Sequence, residues 1–243
     1  MILKRKIYKK LLEWKKECQG KKALLIEGAR RIGKSTICEE FGKSEYKSFL
    51  LIDFAKKDKE VEGYFEKYLN DLDTFFMLLQ THFGTKLTER NSLIIFDEVQ
   101  MFPQARAAIK YLVADGRYDY IETGSLISIR ENVKNIVIPS EERHINMYPL
   151  DFEEFAIALE EDLLVEYIKK CFEKREPLER SMHNQAMLLF HQYMLVGGMP
   201  MPVVTFIESK KDFTEADREK RDILKLYRED IMKIDAKYRS KVL

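Results

Sequence analysis

At 243 residues the chain is long enough for one large domain, or for a medium domain with a smaller appendage, each burying its own core. Hydrophobic residues at 45% and charged residues at 34% exclude an intrinsically disordered chain, and a formal net charge of +1 excludes an overall field that would gather nucleic acid or a membrane surface. Cys18, Cys38 and Cys171 sit far apart, with no CxxC pair and no histidine at metal-ligand spacing, which suits a reducing cytoplasm.

Residues 7–17 place Ile7, Leu11, Leu12 and Trp14 at helical spacing among lysines, so an amphipathic helix is expected, ended by Gly20. The first 22 residues carry nine Lys or Arg against Glu13 and Glu17, whereas residues 151–162 are acidic. Both read as solvated helix faces. No stretch is apolar and long enough for a signal peptide or a membrane span, so a cytoplasmic protein is expected. Residues 23–26 form a short apolar run, as in a strand covered on both faces, and similar runs recur at 49–54, 93–96, 120–121 and 145–147. Helical periodicity separates them, with Phe65, Tyr68, Leu69, Leu72, Phe75, Phe76 and Leu79 predicting one or two core-facing helices. The pattern predicts an α/β fold with a five-stranded parallel sheet over residues 1–149. Beyond Pro149 all the periodicity is helical, so residues 150–243 are expected to form a small all-helical lid domain. The Gly197-Gly198-Met199-Pro200 segment should stop one helix and start the next.

Between the first strand and the following helix lies Gly28-Ala29-Arg30-Arg31-Ile32-Gly33-Lys34-Ser35, a full match to G-x-x-x-x-G-K-[ST]. In that context the loop amides and the helix N-terminus are expected to cradle a polyphosphate, making this a P-loop nucleoside triphosphatase fold. Lys34 is expected to reach the β- and γ-phosphates, Ser35 to complete a Mg²⁺ shell, and Thr36 to support the α-phosphate. The strand at 93–96 ends in Asp97 and Glu98, read as a Walker B pair: Asp97 holding a metal-bound water, Glu98 orienting and deprotonating the attacking water. One strand, 49–54, intervenes between the two motifs. With Glu98, that order places the sheet in the additional-strand, catalytic-glutamate division, which includes AAA+ and RecA-like ATPases. No N-K-x-D guanine motif is present, so ATP is the expected nucleotide.

Thr123-Gly124-Ser125 falls at the carboxyl end of the next strand, where ligands of open α/β sheets gather. Thr123 or Ser125 either senses the γ-phosphate, or the triplet is a turn in which Ser125 caps a helix; both can hold together. Arg30, Arg31, Arg130 and Arg143 are the candidates for stabilising charge on the transferring phosphoryl group. The four histidines have neither triad nor metal spacing.

The segments ALLIEGARRIGKST, IIFDEVQMFPQARAAIKYL, YIETGSLISI and INMYPLDFEEF together resemble a family of bacterial and archaeal AAA-type ATPases with an N-terminal P-loop domain. The resemblance runs from Tyr8 to the turn at Pro200. It implies that Asp97, Glu98 and Gln100 occupy a D-E-x-Q segment in which Gln100 helps position water, that Thr123-Gly124-Ser125 takes a sensor-like position, and that the lid opens at Pro149-Leu150. Similar proteins usually continue into a C-terminal domain of restriction-endonuclease-like fold, so this chain is either a piece of a longer protein or a short variant. Three functions follow as expectations: an ATPase that moves its helical part, a nucleotide-gated module binding a protein partner or a second copy with little turnover, and DNA or RNA binding through the basic residues between Lys4 and Lys22.

Overall fold

The structure, a computed structural model, describes residues 1–125 and 140–234; Arg130 lies outside the described residues. The chain divides into two compact units, one of residues 6–148 and one of residues 149–243 together with 1–5.

The first unit alternates strand and helix. It runs α1 (Ile7–Cys18), β1 (Ala23–Gly28), α2 (Lys34–Glu45), β2 (Ser48–Asp53), α3 (Lys59–Lys67), α4 (Leu72–Phe83), β3 (Ser92–Asp97), α5 (Pro103–Asp115), β4 (Asp119–Ser125) and β5 (Glu142–Asn146). Every strand pairing is parallel and the order is β2-β3-β4-β1-β5. Strand β4 therefore lies between the strand that leads into the phosphate loop and the strand that ends in Asp97.

Local chemistry sets the helix ends. The Asp58 and Asp71 side chains accept hydrogen bonds from amides in the first turns of α3 and α4, and Pro103 opens α5, where a missing N–H costs nothing. Phe65, Phe75, Phe76 and Leu79 then pack with Phe54, Phe96 and Phe102 into the main core. Its rings meet mostly edge to face, with Phe65 and Phe75 centroids 5.0 Å apart. Helix α1 buries Ile7, Leu11 and Trp14 but leaves Leu12 exposed, so the buried face is narrower than its spacing predicts.

Two strand boundaries differ from expectation for one reason. Strand β4 continues through Glu122, Thr123, Gly124 and Ser125, so the triplet is ladder and not a turn: Gly124 pairs with Glu27, and Ser125 with Gly28. Strand β5 begins at Glu142, before the apolar run, and ends at Asn146. In both cases charged and polar side chains occupy sheet positions because tertiary partners wait for them.

The second unit holds α6 (Phe152–Ala158), α7 (Asp162–Lys174), α8 (Arg180–Val196), α9 (Pro200–Glu208) and α10 (Phe213–Ile234). Asp151 and Glu154 form a capping box at the start of α6. Leu150, Phe155, Val196, Val203, Phe206 and Ala216 build the core. Arg5 closes the unit from the other end of the sequence, its Nε 3.2 Å from a Glu154 carboxylate, both side chains nearly inaccessible. Among the described residues no single helix is long and apolar enough to cross a membrane; α8 with α9 reaches that composition only across a 120° bend.

Gly197-Gly198 makes the turn between α8 and α9, and Leu150 is bound to it: its N–H donates to the Gly198 carbonyl (2.6 Å), while its own carbonyl accepts from the Tyr193 hydroxyl (2.9 Å). A β-carbon on Gly198 would stand 2.1 Å from the Leu150 carbonyl oxygen. Gly198→Ala is therefore expected to destabilise this unit by about 1–3 kcal/mol, the usual cost of overpacking against backbone. Urea unfolding monitored by far-ultraviolet dichroism checks it.

Candidate nucleotide-binding site

The phosphate loop leaves the carboxyl end of β1 and enters α2, with Gly33 as its N-cap residue. Its base is tight, since a β-carbon on Gly28 would meet the Met147 carbonyl oxygen at 2.4 Å. Ile32 is fully buried and anchors the arch, whereas Ala29, Arg30 and Arg31 stand exposed along it. Arg31 is held at φ +61°, the left-handed region that lends neighbouring amides a common inward direction. Lys34 is 5% exposed, and its ammonium donates to the loop's own carbonyls, at 3.1 Å to Gly28 and 2.8 Å to Ala29. Burial lowers its pKa below the ordinary lysine value. The Glu98 and Asp97 carboxylates oppose that shift and the Arg30 charge adds to it.

Ser35 lies one residue into α2, and its hydroxyl donates to Asp97 Oδ1 at 2.9 Å. The Thr123 hydroxyl donates to the same oxygen, and Thr123 Oγ1 in turn accepts from the Glu98 amide at 3.3 Å. One connected chain therefore runs from Ser35 on α2 through Asp97 at the end of β3 and Thr123 in β4 to Glu98. Glu98 itself sits at φ +53°, a conformation unusual for a residue with a side chain, and its carboxylate accepts a hydrogen bond from Gln100 Nε2.

The sequence-predicted residues thus divide into those the fold gathers and those it does not. Lys34, Ser35, Asp97, Glu98 and Thr123 converge at the carboxyl ends of β1, β3 and β4. Ser125 lies beside Gly28 at the foot of the loop, and Thr36 is exposed on the first turn of α2. Arg143 stands apart, opposite Leu24 in the first half of β5, with its guanidinium 2.6 Å from a Glu17 carboxylate. The residues present fit a nucleoside triphosphate with a divalent cation. Two hard oxygens, Ser35 Oγ and Asp97 Oδ1, lie together beside a buried ammonium whose hydrogen bonds go to backbone carbonyls.

The sequence reading missed a charged cluster on the opposite face of the sheet. Arg106 of α5 donates from Nε (3.0 Å) and Nη2 (2.8 Å) to the two oxygens of Glu142, with the Glu122 carboxylate 3.9 Å from its Nε. His144 Nε2 reaches Glu142 at 3.1 Å from the half-exposed side. Glu122 is completely buried; burial and the Glu142 charge push its carboxyl pKa well above the usual range, and Arg106 pulls it back. A glutamate inside the run Tyr120-Ile121-Glu122 was the available signal, because a carboxylate in a central strand needs a cationic partner.

The strand order, the loop between β1 and α2, and the acidic end of β3 define a P-loop nucleoside triphosphatase of the AAA type, with a helical unit after the sheet. A family model described as an AAA domain matches residues 20–156, more than half of the chain, and the chain belongs to that family. Three solved structures are similar at low identity. The Aeropyrum pernix ORC1 protein in complex with DNA is 9% identical, with 81% of this chain and 68% of that one covered and a TM-score of 0.40. PCH-2 of C. elegans is 12% identical over 89% and 65%, with a TM-score of 0.43. A Pyrococcus horikoshii signal-transduction ATPase with numerous domains, carrying a tetratricopeptide repeat sensor, is 17% identical over 93% and 34%, with a TM-score of 0.44. No curated protein matches the sequence significantly.

Proposed function

We propose that the chain binds ATP with Mg²⁺ through residues 28–36 and hydrolyses its terminal phosphoanhydride, with Glu98 as general base. The observation that carries this reading is the connected chain Ser35–Asp97–Thr123–Glu98 beside the Lys34 ammonium. The loop amides and Lys34 hold the β- and γ-phosphates, and Ser35 with Asp97, the latter through water, holds the cation. Bound Mg²⁺ neutralises phosphate charge and polarises the γ-phosphoryl group. Glu98 orients a water and takes its proton as the water oxygen bonds to the γ-phosphorus; the bond to the β–γ bridging oxygen breaks, leaving ADP and phosphate. Thr123 acts mainly as a strut, because its hydroxyl hydrogen is spent on Asp97.

Residues 149–243 act as the lid in this reading. A nucleotide-gated module with slow turnover is the second reading.

Titration with a fluorescent ATP analogue and Mg²⁺ tests the binding step. Lys34→Ala is expected to weaken affinity by about 10- to 100-fold, as loss of charge-assisted hydrogen bonds implies. Equal affinity in the two proteins, or none in wild type, overturns it. Phosphate release by wild type separates the hydrolytic reading from the gated one.

A further inference from the structure

Glu98 combines a strained backbone with a tied side chain. Its φ of +53° places it in the left-handed region, and the backbone is pinned there by the bond from its amide to Thr123 Oγ1 and by the bond its carbonyl accepts from the Met101 amide (2.9 Å). These bonds fix the Cα–Cβ direction but leave the side-chain torsions open. Gln100 supplies the remaining restraint. It sits in the short 3-10 turn Val99–Met101 directly after Glu98, is 7% exposed, and donates from Nε2 to Glu98 Oε2. With Oε2 accepting from Gln100, Oε1 is the oxygen that keeps both lone pairs for a proton.

We propose that Gln100 is the positioning residue for Glu98: it selects the rotamer and dedicates one carboxylate oxygen to itself, so that the other faces the attacking water. The inference rests on the hydrolytic reading above but places Gln100 on the glutamate and not on the water. A buried amide two residues away, held by its own turn, fixes the carboxylate with less lost entropy than a long surface side chain would. Because Gln100 touches neither phosphate nor cation in this assignment, its loss acts on the chemical step and not on nucleotide affinity.

The test compares wild type with Gln100→Met, which keeps volume and removes the donor, and Gln100→Glu, which keeps shape and sets two carboxylates against each other. Expected is a fall in kcat of about 10- to 100-fold for Gln100→Met, the scale of a misplaced reacting group. A larger fall is expected for Gln100→Glu, with Mg-ATP affinity and thermal midpoint near wild type for Gln100→Met. Unchanged kcat in Gln100→Met, or parallel losses of affinity and folding, overturns the proposal. A readout free of turnover is the side-chain amide pair of Gln100 in a nitrogen-15 spectrum, which should shift and lose protection from solvent exchange in Glu98→Ala. If that pair is indifferent to Glu98→Ala, the proposal is wrong even in an active enzyme. If wild type releases no phosphate while the pair responds, the hydrolytic reading falls and the Gln100–Glu98 tie stands.

Discussion

Glu98→Gln should lower steady-state phosphate release by about 10²- to 10⁴-fold, the usual worth of a general base, while Mg-ATP binding stays close to wild type. Glutamine keeps the size of the side chain and still accepts the bond from Gln100, so packing around the strained backbone is preserved. Only the ability to take a proton is removed. Ser35, Asp97 and Lys34 are untouched, and they hold the phosphates and cation in the proposed mechanism. Single-turnover measurements at saturating nucleotide check this. Equal loss of binding would show that Glu98 serves the nucleotide pocket and not the chemistry.

The second large effect is on stability. Arg106→Met should cost about 3–5 kcal/mol in unfolding free energy, because it strips a buried pair of its cation and leaves Glu142 facing Glu122. The same cluster sets a pH dependence. Glu122 has a raised pKa in the folded state, so between the usual glutamate range and that raised value the folded chain binds more protons than the unfolded one. Its contribution is complete at acid pH and is lost as pH rises through the folded pKa. Glu122→Gln should match wild type at acid pH and become the more stable protein as pH increases. Urea denaturation of the three proteins across pH measures both effects.

Legibility from sequence followed the range over which each feature is determined. The phosphate loop was readable because its chemistry is contained in eight consecutive residues between a strand and a helix. Asp97 and Glu98 stood out because the apolar run that ends in two carboxylates follows a phosphate loop; alone, acidic residues at a strand end also serve solubility. The strand order follows from motif order only in combination with Glu98, and the fold carries it out by inserting β4 between β1 and β3. Thr123-Gly124-Ser125 was ambiguous because the same local sequence suits hydroxyls that sense a phosphate or a turn in which Ser125 caps a helix; the register of Ile26 with Thr123 and the bond from Thr123 to Asp97 put the triplet in the ladder. The start of β5 was hidden because Glu142, Arg143 and His144 are poor strand formers alone; their place depends on Arg106, 36 residues from Glu142 in the chain. Leu12 misled because helical spacing allows a wide apolar face, whereas contact with α2 needs a narrow one. The Arg143 guanidinium, weighed as a catalytic charge, is engaged with Glu17 instead.

Arg5 makes the helical unit discontinuous in sequence: residues 6–148 are inserted, in effect, between its first five residues and the rest. An excised fragment starting at Pro149 would therefore keep every helix of that unit and yet carry Glu154 as a buried anion without its guanidinium. Any dissection of the protein that aims to keep the unit folded must supply the Arg5 segment in trans or join it to Pro149 by a linker. The peptide of the first five residues then becomes a ligand in its own right, with an affinity that reports how firmly the helical unit is closed.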